Sequence, residues 1–377
     1  MKSDAVIYKA LKRETLSEEE ALRLWERVPI QELAAAADEA RRAEMIRAKN
    51  EAAGTHTQTV ADPGAVSWQI DRNVNITNVC ISGCRFCNFH CKPHESDKAY
   101  ILAIEDYIPR VEQTLALGGD QLLLQGGLHP RLGIEFYTGL LGELKRLFPQ
   151  IKLHALGAPE VAHIARISSL SIAETLQRLV AAGLDSLPGA GAEILVDEVR
   201  RQISPAKPSV AQWIEVMREA HRMNLPTSAT MMYGHIETPR DIVRHLITIR
   251  DIQAERPEGT HGFVAFIPWI FRGKGTALER DGVATRFSSL EYLRVIALSR
   301  LVLNNIRNIQ ASWLTVGAPT AQMALHSGAN DMGSIMIEEN VVSSAGAREN
   351  FDAEGIRAAI KAAGFQPRLR DQLYRPR

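Results

Sequence analysis

From residue 73 onward, short apolar or β-branched runs alternate with longer stretches of helical period, and this rhythm constrains the fold more than any other feature. The short runs fall at 73–77, 121–125, 152–156, 184–187, 227–232, 262–267, 308–313 and 334–337. Amphipathic stretches at 105–117, 136–147, 171–182, 210–223, 240–255 and 289–303 separate most of them. Strands alternating with helices predict an α/β chain, and eight such units predict a (β/α)8 TIM-type barrel. An open doubly wound sheet shares the local pattern. Residues 1–50 read as helical, with Ser17 and Glu20 spaced as a capping box. The expected organisation is an N-terminal helical extension over 1–60, a barrel core over 61–345, and a helical tail over 346–377 packed on the barrel.

Charge narrows the function. Lys+Arg and Asp+Glu both number 44 in the 377 residues, so the basic excess typical of a nucleic-acid binder is missing. No apolar run approaches the roughly 20 residues of a membrane helix. The start, MKSDAVIYKALKRE, has no apolar core of a secretion signal. A cytoplasmic chain acting on a small molecule is expected, with neither nucleic acid nor membrane as partner.

The four cysteines, Cys80, Cys84, Cys87 and Cys91, all lie in one short segment. A disulfide framework would spread them to staple distant loops. Cys80, Cys84 and Cys87 are spaced C-x3-C-x2-C. Three thiolates on one loop can hold three irons of a cubane and leave the fourth iron open to a ligand. A zinc knot completed by Cys91 or a histidine would normally pair two distant C-x2-C knuckles, and a second knuckle is not present. An electron-transfer cluster with Cys91 as fourth ligand is the other alternative.

The stretch Cys84-Arg85-Phe86-Cys87, closing C-x3-C-x-F-C, resembles the signature of radical S-adenosylmethionine (SAM) enzymes. Further stretches, among them LLLQGGLHP, GLDSLPGAGAEILVDEVRRQISPAK, TSATMMYGHIET, FVAFIPWIF and ASWLTVGAPTAQMAL, are similar to the cyclic dehypoxanthinyl futalosine synthase family of menaquinone biosynthesis. The similarity covers nearly all of residues 10–365. Aminofutalosine synthase and the halves of deazaflavin (FO) synthase share much of it. One departure falls at Arg272–Thr276, where a proline after a short spacer is expected.

The resemblance implies that Cys80, Cys84 and Cys87 bind a [4Fe-4S] cluster whose free iron chelates SAM. It implies that a 5′-deoxyadenosyl radical takes a ribose hydrogen from dehypoxanthine futalosine, and that a flavodoxin or ferredoxin supplies the electron. Gln125, Gly126 and Gly127 follow the second run, where glycines let the backbone approach a ligand; by resemblance they bind the SAM amino group. Phe86 is the residue expected near the adenine. Glu193 opens a helix, where it complements the helix dipole or reaches SAM. His154 lies in a run and His235 and Glu237 just after one, which makes these three the candidates for the final base. Arg85 and Arg307 are candidates for a substrate carboxylate, and Ser312 and Thr315 for substrate hydroxyls.

Overall fold

The structure, a computed structural model, describes residues 5–95, 97–286, 288–338 and 351–377. Segment 339–350, which carries the expected boundary after residue 345, lies outside them. Nine strands are described: β1 (Ala65–Gln69), β2 (Asp71–Asn75), β3 (Gln121–Gln125), β4 (Lys152–Ala155), β5 (Thr227–Tyr233), β6 (Phe263–Ile270), β7 (Asn308–Ile309), β8 (Asp331–Ser334) and β9 (Gln366–Leu369). They form three parallel sheets in the orders β8-β1-β9, β2-β3-β4 and β5-β6-β7. Single parallel bridges join them, His154 to Ser186, Leu187 to Thr227 and Gln310 to Asp331, while β1 runs on into β2 through Ile70.

Most expected elements stand within a residue or two of their predicted ends. β6 runs three residues past its expected end, to Ile270, and three other strands differ for a local reason. Residues 184–187 make only bridges, because Pro188 offers no N–H to continue the ladder. The run at 308–313 stops at Ile309, and the Ser312 N–H donates instead to the Tyr292 hydroxyl at 2.7 Å, where a short helix, Trp313–Val316, begins. The last run is paired at Asp331–Ser334 rather than 334–337, because Met336 takes φ +49° and leaves the extended region. β1 and β9 are not anticipated by the sequence pattern.

Residues 5–54 hold three helices, Ala5–Leu11, Glu18–Arg27 and Ile30–Gly54. Ser17 and Glu20 make the expected capping box, worth about 1 kcal/mol. These helices are docked: Arg294 donates to Trp25 O at 2.8 Å and Val28 O at 2.9 Å, and Arg250 donates to Leu16 O at 2.7 Å. One continuous core includes Leu24, Leu33, Leu122, Leu153, Trp213, Phe266 and Ile360. Among the described residues no helix is long and apolar enough to cross a membrane.

The tail holds a helix, Ala353–Ala362, and also β9, which pairs in parallel with β1 from Ala65↔Gln366 to Trp68↔Leu369. This pairing delivers Arg370 to the interior. Its Nε and Nη2 grip the two carboxylate oxygens of Asp331 at 2.6 and 3.0 Å, and its Nη1 donates to Gln69 Oε1 at 2.6 Å. Burial alone would depress the guanidinium; the carboxylate keeps it charged. Removing one partner of such a pair strands a buried charge. Asp331→Ala should therefore cost about 3–5 kcal/mol in urea unfolding, while Asp331→Leu with Arg370→Met should recover most of that loss.

Candidate active site

Strand alternation sends every second residue to the interior. From β1 and β2 these are Gln69, Asp71, Asn73 and Asn75; from β3, Gln121, Leu123 and Gln125; from β4, His154. β5 and β6 add Ser228, Thr230, Ala265, Ile267 and Trp269, and Arg370 and Tyr374 come from the tail. Together they enclose a cavity of about 410 Å³, within the usual range for a small-molecule site.

Cys80, Cys84 and Cys87 all line this cavity, and Cys91 does not. Cys91 is held aside: its N–H donates to Asn78 O at 2.9 Å, and its carbonyl accepts from Cys80 N at 3.0 Å. The loop is shaped by Gly127 at the end of β3. A Cβ there would lie 2.2 Å from Val79 O and 2.8 Å from Cys80 Cβ, so only glycine permits this approach. Gly127 N–H donates to Thr77 O at 2.8 Å, and the next N–H, of Leu128, donates to Cys80 Sγ at 3.2 Å. Ser82 sits between two sulfurs, its Oγ 2.9 Å from Cys80 Sγ and 3.3 Å from Cys84 Sγ.

This donor set fits an iron–sulfur cluster. The thiols open on one cavity, N–H and O–H groups aim at two sulfurs, and the Cys80–Gly127 contact fixes the loop. Among the described residues, no group of three or more Cys, His, Asp or Glu converges as a single metal ion requires. A cubane needs no such convergence, since each thiolate takes its own iron. Burial pushes the Cys84 thiol up to about 11, with the Lys207 ammonium pulling the other way. Lys207 is half-buried, paired to Glu193 Oε1 at 2.6 Å, and its Nζ lies 5.2 Å from the Phe86 ring centre.

Phe86, Gln125, Gly126, Gly127, His154 and Glu193 line the same cavity as the cysteines, but Glu193 does not open a helix: it takes φ +44°, and the helix Asp197–Ile203 starts four residues later. Two of the three expected bases are elsewhere. His235 and Glu237 do not line the cavity, because the chain turns away after β5 at Gly234, φ +92°. The Glu237 carboxylate closes that turn, accepting from Gly234 N at 2.7 Å and His235 N at 2.9 Å. Against its burial, His235 and these N–H groups hold it below the usual carboxylate range. His154 does face the cavity, its Nδ1 2.7 Å from Ser186 Oγ, but burial pushes the imidazole down to about 3, with Arg370 adding to the effect. It is neutral at pH 7 and a weak base.

The two arginines expected at a carboxylate are occupied outside the cavity: Arg85 with Asp281, and Arg307 with Glu44 and Glu51. Ser312 and Thr315 do line it, though the Ser312 hydroxyl donates to Pro268 O at 2.8 Å. The departing segment Arg272–Thr276 packs on the cysteine loop, where Asn88 Nδ2 donates to Lys274 O at 2.7 Å, and does not line the cavity.

The sequence reading passed over Glu160. It is buried in the cavity wall at the start of helix Ala158–Ile167 and accepts from Gly126 N at 2.9 Å and Gly157 N at 2.6 Å. Burial pushes its carboxyl up to about 7 despite these bonds. The glutamate after Gly157-Ala158-Pro159 has the spacing of a capping residue, and that was the one signal available. Lys207 was also missed; it follows an unremarkable helix and reaches the cavity only through the fold.

Comparison with known proteins agrees with this geometry. Residues 74–249 match the Radical SAM superfamily, and residues 260–377 match the CofH/MqnC C-terminal region. The chain is 42% identical over 359 residues to cyclic dehypoxanthine futalosine synthase of Streptomyces coelicolor, covering 95% of this chain and 85% of that one. It is 37% identical over 374 residues to the protein of that name from Halalkalibacterium halodurans, covering 99% and 95%. It is also 41% identical over 312 residues to 5-amino-6-(D-ribitylamino)uracil–L-tyrosine 4-hydroxyphenyl transferase of Archaeoglobus fulgidus, covering 82% and 88%. Among solved structures, methylornithine synthase (PylB) superposes with a TM-score of 0.68 at 17% identity, over 98% of both chains. The hydrogenase maturase HydG superposes at 0.69 and 13%, over 96% of this chain and 74% of that one; these two speak for the fold alone. With three cysteines on one cavity and relatives spanning nearly its whole length, the chain belongs to the radical SAM superfamily and, within it, to the family of the cyclic dehypoxanthine futalosine synthases.

Proposed function

We propose that this protein cyclises dehypoxanthine futalosine to cyclic dehypoxanthinyl futalosine in menaquinone biosynthesis. The observation that carries the reading is one cavity that runs from Cys80, Cys84 and Cys87 to a polar floor. Relatives of that name match 95% and 99% of this chain. We take the joined sheets as the wall of a (β/α)8 TIM-type barrel, with the cysteine loop at its C-terminal mouth, where such barrels do their chemistry.

Bound on these thiolates, a [4Fe-4S] cluster with SAM supplies a 5′-deoxyadenosyl radical able to take a ribose hydrogen. The chain's own residues do the rest. Cys80, Cys84 and Cys87 are the proposed cluster ligands. The backbone at Gln125–Gly127, locked by Glu160 and Thr77, offers carbonyls for the SAM ammonium. Phe86 lies on the same side for the adenine, and the Glu193–Lys207 pair sits beside it. Leu123, Ile267 and Trp269 line the wall and keep water from the reacting atoms. Holding ribose against ring in this space converts ring closure into a proximity-controlled step.

For the proton released on rearomatisation, Glu160 is the better acceptor. Its carboxyl, near 7, suits neutral pH, whereas His154, near 3, does not. A cytoplasmic setting with a flavodoxin or ferredoxin as reductant completes the proposal.

A second reading, transfer of a hydroxyphenyl group from tyrosine to a ribitylaminouracil, is favoured by the 41% identity to the Archaeoglobus enzyme. The test is anaerobic incubation of reconstituted protein with SAM, a reductant and each substrate in turn. Mass spectrometry should find 5′-deoxyadenosine and the cyclised product with dehypoxanthine futalosine; product only with tyrosine and the ribitylaminouracil would transfer the assignment.

Two sets of variants probe the cluster. Cys80→Ala, Cys84→Ala and Cys87→Ala should each lose the absorbance near about 400 nm and the roughly four irons per chain, while Cys91→Ala keeps both. Gly127→Val should also lose iron, because its side chain has no room against Val79 and Cys80.

A further inference from the structure

The far wall of the cavity carries polar atoms that the protein itself does not use. Among the described residues, Gln69 Nε2, Asn73 Oδ1, Gln121 Oε1 and Tyr374 Oη are buried without a hydrogen-bond partner. All four side chains line the cavity and are at most 7% exposed. Buried polar groups are normally paired, so four unpaired ones in one cavity call for a ligand. Asp71 and Gln121 stand opposite each other in register at the starts of β2 and β3, four residues before Asn75 and Gln125. At the rise of a strand this places them about 13 Å from the cysteine end.

The chemistry of the four atoms is specific. Arg370 Nη1 donates to Gln69 at 2.6 Å, and a guanidinium cannot accept. The amide oxygen therefore faces the arginine, and the free Nε2 is a donor. Asn73 Oδ1 and Gln121 Oε1 are acceptors, and the Tyr374 hydroxyl is both. A carboxylate would meet these acceptors beside Asp71 and find no free cation, since Arg370 is spent on Asp331, Gln69 and Asp371 O. Hydroxyl groups, which donate and accept at once, match the set. Burial also pushes the Asp71 carboxyl up, toward the neutral form that tolerates hydroxyls.

We propose that Gln69, Asn73, Gln121 and Tyr374 form a hydroxyl-recognition subsite that binds the neighbouring hydroxyls of a sugar or polyol segment of the substrate. It deepens the reading given under Proposed function and rests on it.

The test uses the reconstituted holoenzyme with its substrate and with analogues lacking one ribose hydroxyl. Asn73→Leu and Gln121→Met replace each amide by an apolar group of the same heavy-atom count, the second also removing the Nε2 bond to Asp71 at 3.3 Å. Each should raise the substrate KM roughly ten- to hundredfold, while iron content and substrate-independent SAM cleavage stay at the parent level. A deoxy analogue should lose a similar factor with the parent enzyme and much less with the matching variant. A KM within about twofold of the parent for both variants, or a deoxy penalty undiminished in them, would overturn the subsite. Should a variant fail to take up iron, the parent enzyme alone decides: every deoxy analogue turned over as well as the substrate would sink the proposal. Absence of SAM cleavage by the parent would instead refute the reaction. Ribitol then reads the subsite directly, since it should raise the Tm of the parent and not that of Asn73→Leu, and equal shifts would count against it.

Discussion

A strand that turns Gln69, Asp71, Asn73 and Asn75 into the interior must find partners for them there, and much of this protein's architecture answers that demand. Its other face is conventional: Val66, Trp68, Ile70 and Val74 join the core, and Arg72 reaches Thr114 on the neighbouring helix. Here the polar layer keeps the centre open, and the tail closes it. β9 lies along β1, Arg370 neutralises Asp331 and engages Gln69, and the Tyr374 ring lies 3.9 Å from the guanidinium carbon. The tail thus does two things at once: the element that pairs with β1 also lines the cavity.

At the mouth, close backbone approach takes the place of polar pairing. Gly127 lets the end of β3 press on Val79 and Cys80, and Glu160 ties Gly126 to Gly157 across the ends of β3 and β4. The cysteine loop is therefore anchored to two strand ends rather than left to its own short-range bonds. Burial that raises the Cys84 thiol to about 11 makes its ionisation depend on nearby positive charge, which Lys207 supplies in part. A metal at the sulfur would supply the rest and release the proton.

The two matched segments divide the cavity. Residues 74–249 bring the cysteines, the glycines after β3, Glu160, Glu193 and Lys207; residues 260–377 bring Ile267, Trp269, Gln310, Ser312, Arg370 and Tyr374. Gln69, Asp71 and Asn73 precede both segments. The three cysteines thus come from the part shared across the superfamily, while the opposite wall draws on both segments and on the residues before them, since Gln121 falls within 74–249.

By itself the sequence determined the alternation of strands and helices, the capping box at Ser17 and the three-cysteine loop, because each is written in short-range spacing. β3 and the long helices could be read to within a residue or two. β1 was hidden: its inward face is polar, so Ala65–Gln69 does not look like a buried strand. β9 was hidden too, because Gln366–Leu369 is only half-buried and becomes a strand by pairing with β1. The residues of the site split in the same way. Cys80, Cys84, Cys87, Phe86 and Gly127 lie within or just after motifs, and their spacing carried them. The tertiary structure alone decided that His235 and Glu237 close a turn, that Glu160 and Lys207 reach the cavity, and that Arg370 forms its floor. The turn at Gly234–Glu237 is closed by bonds two and three residues apart, but the places of Glu160, Lys207 and Arg370 depend on which strand ends meet in space, a long-range fact that no local period encodes.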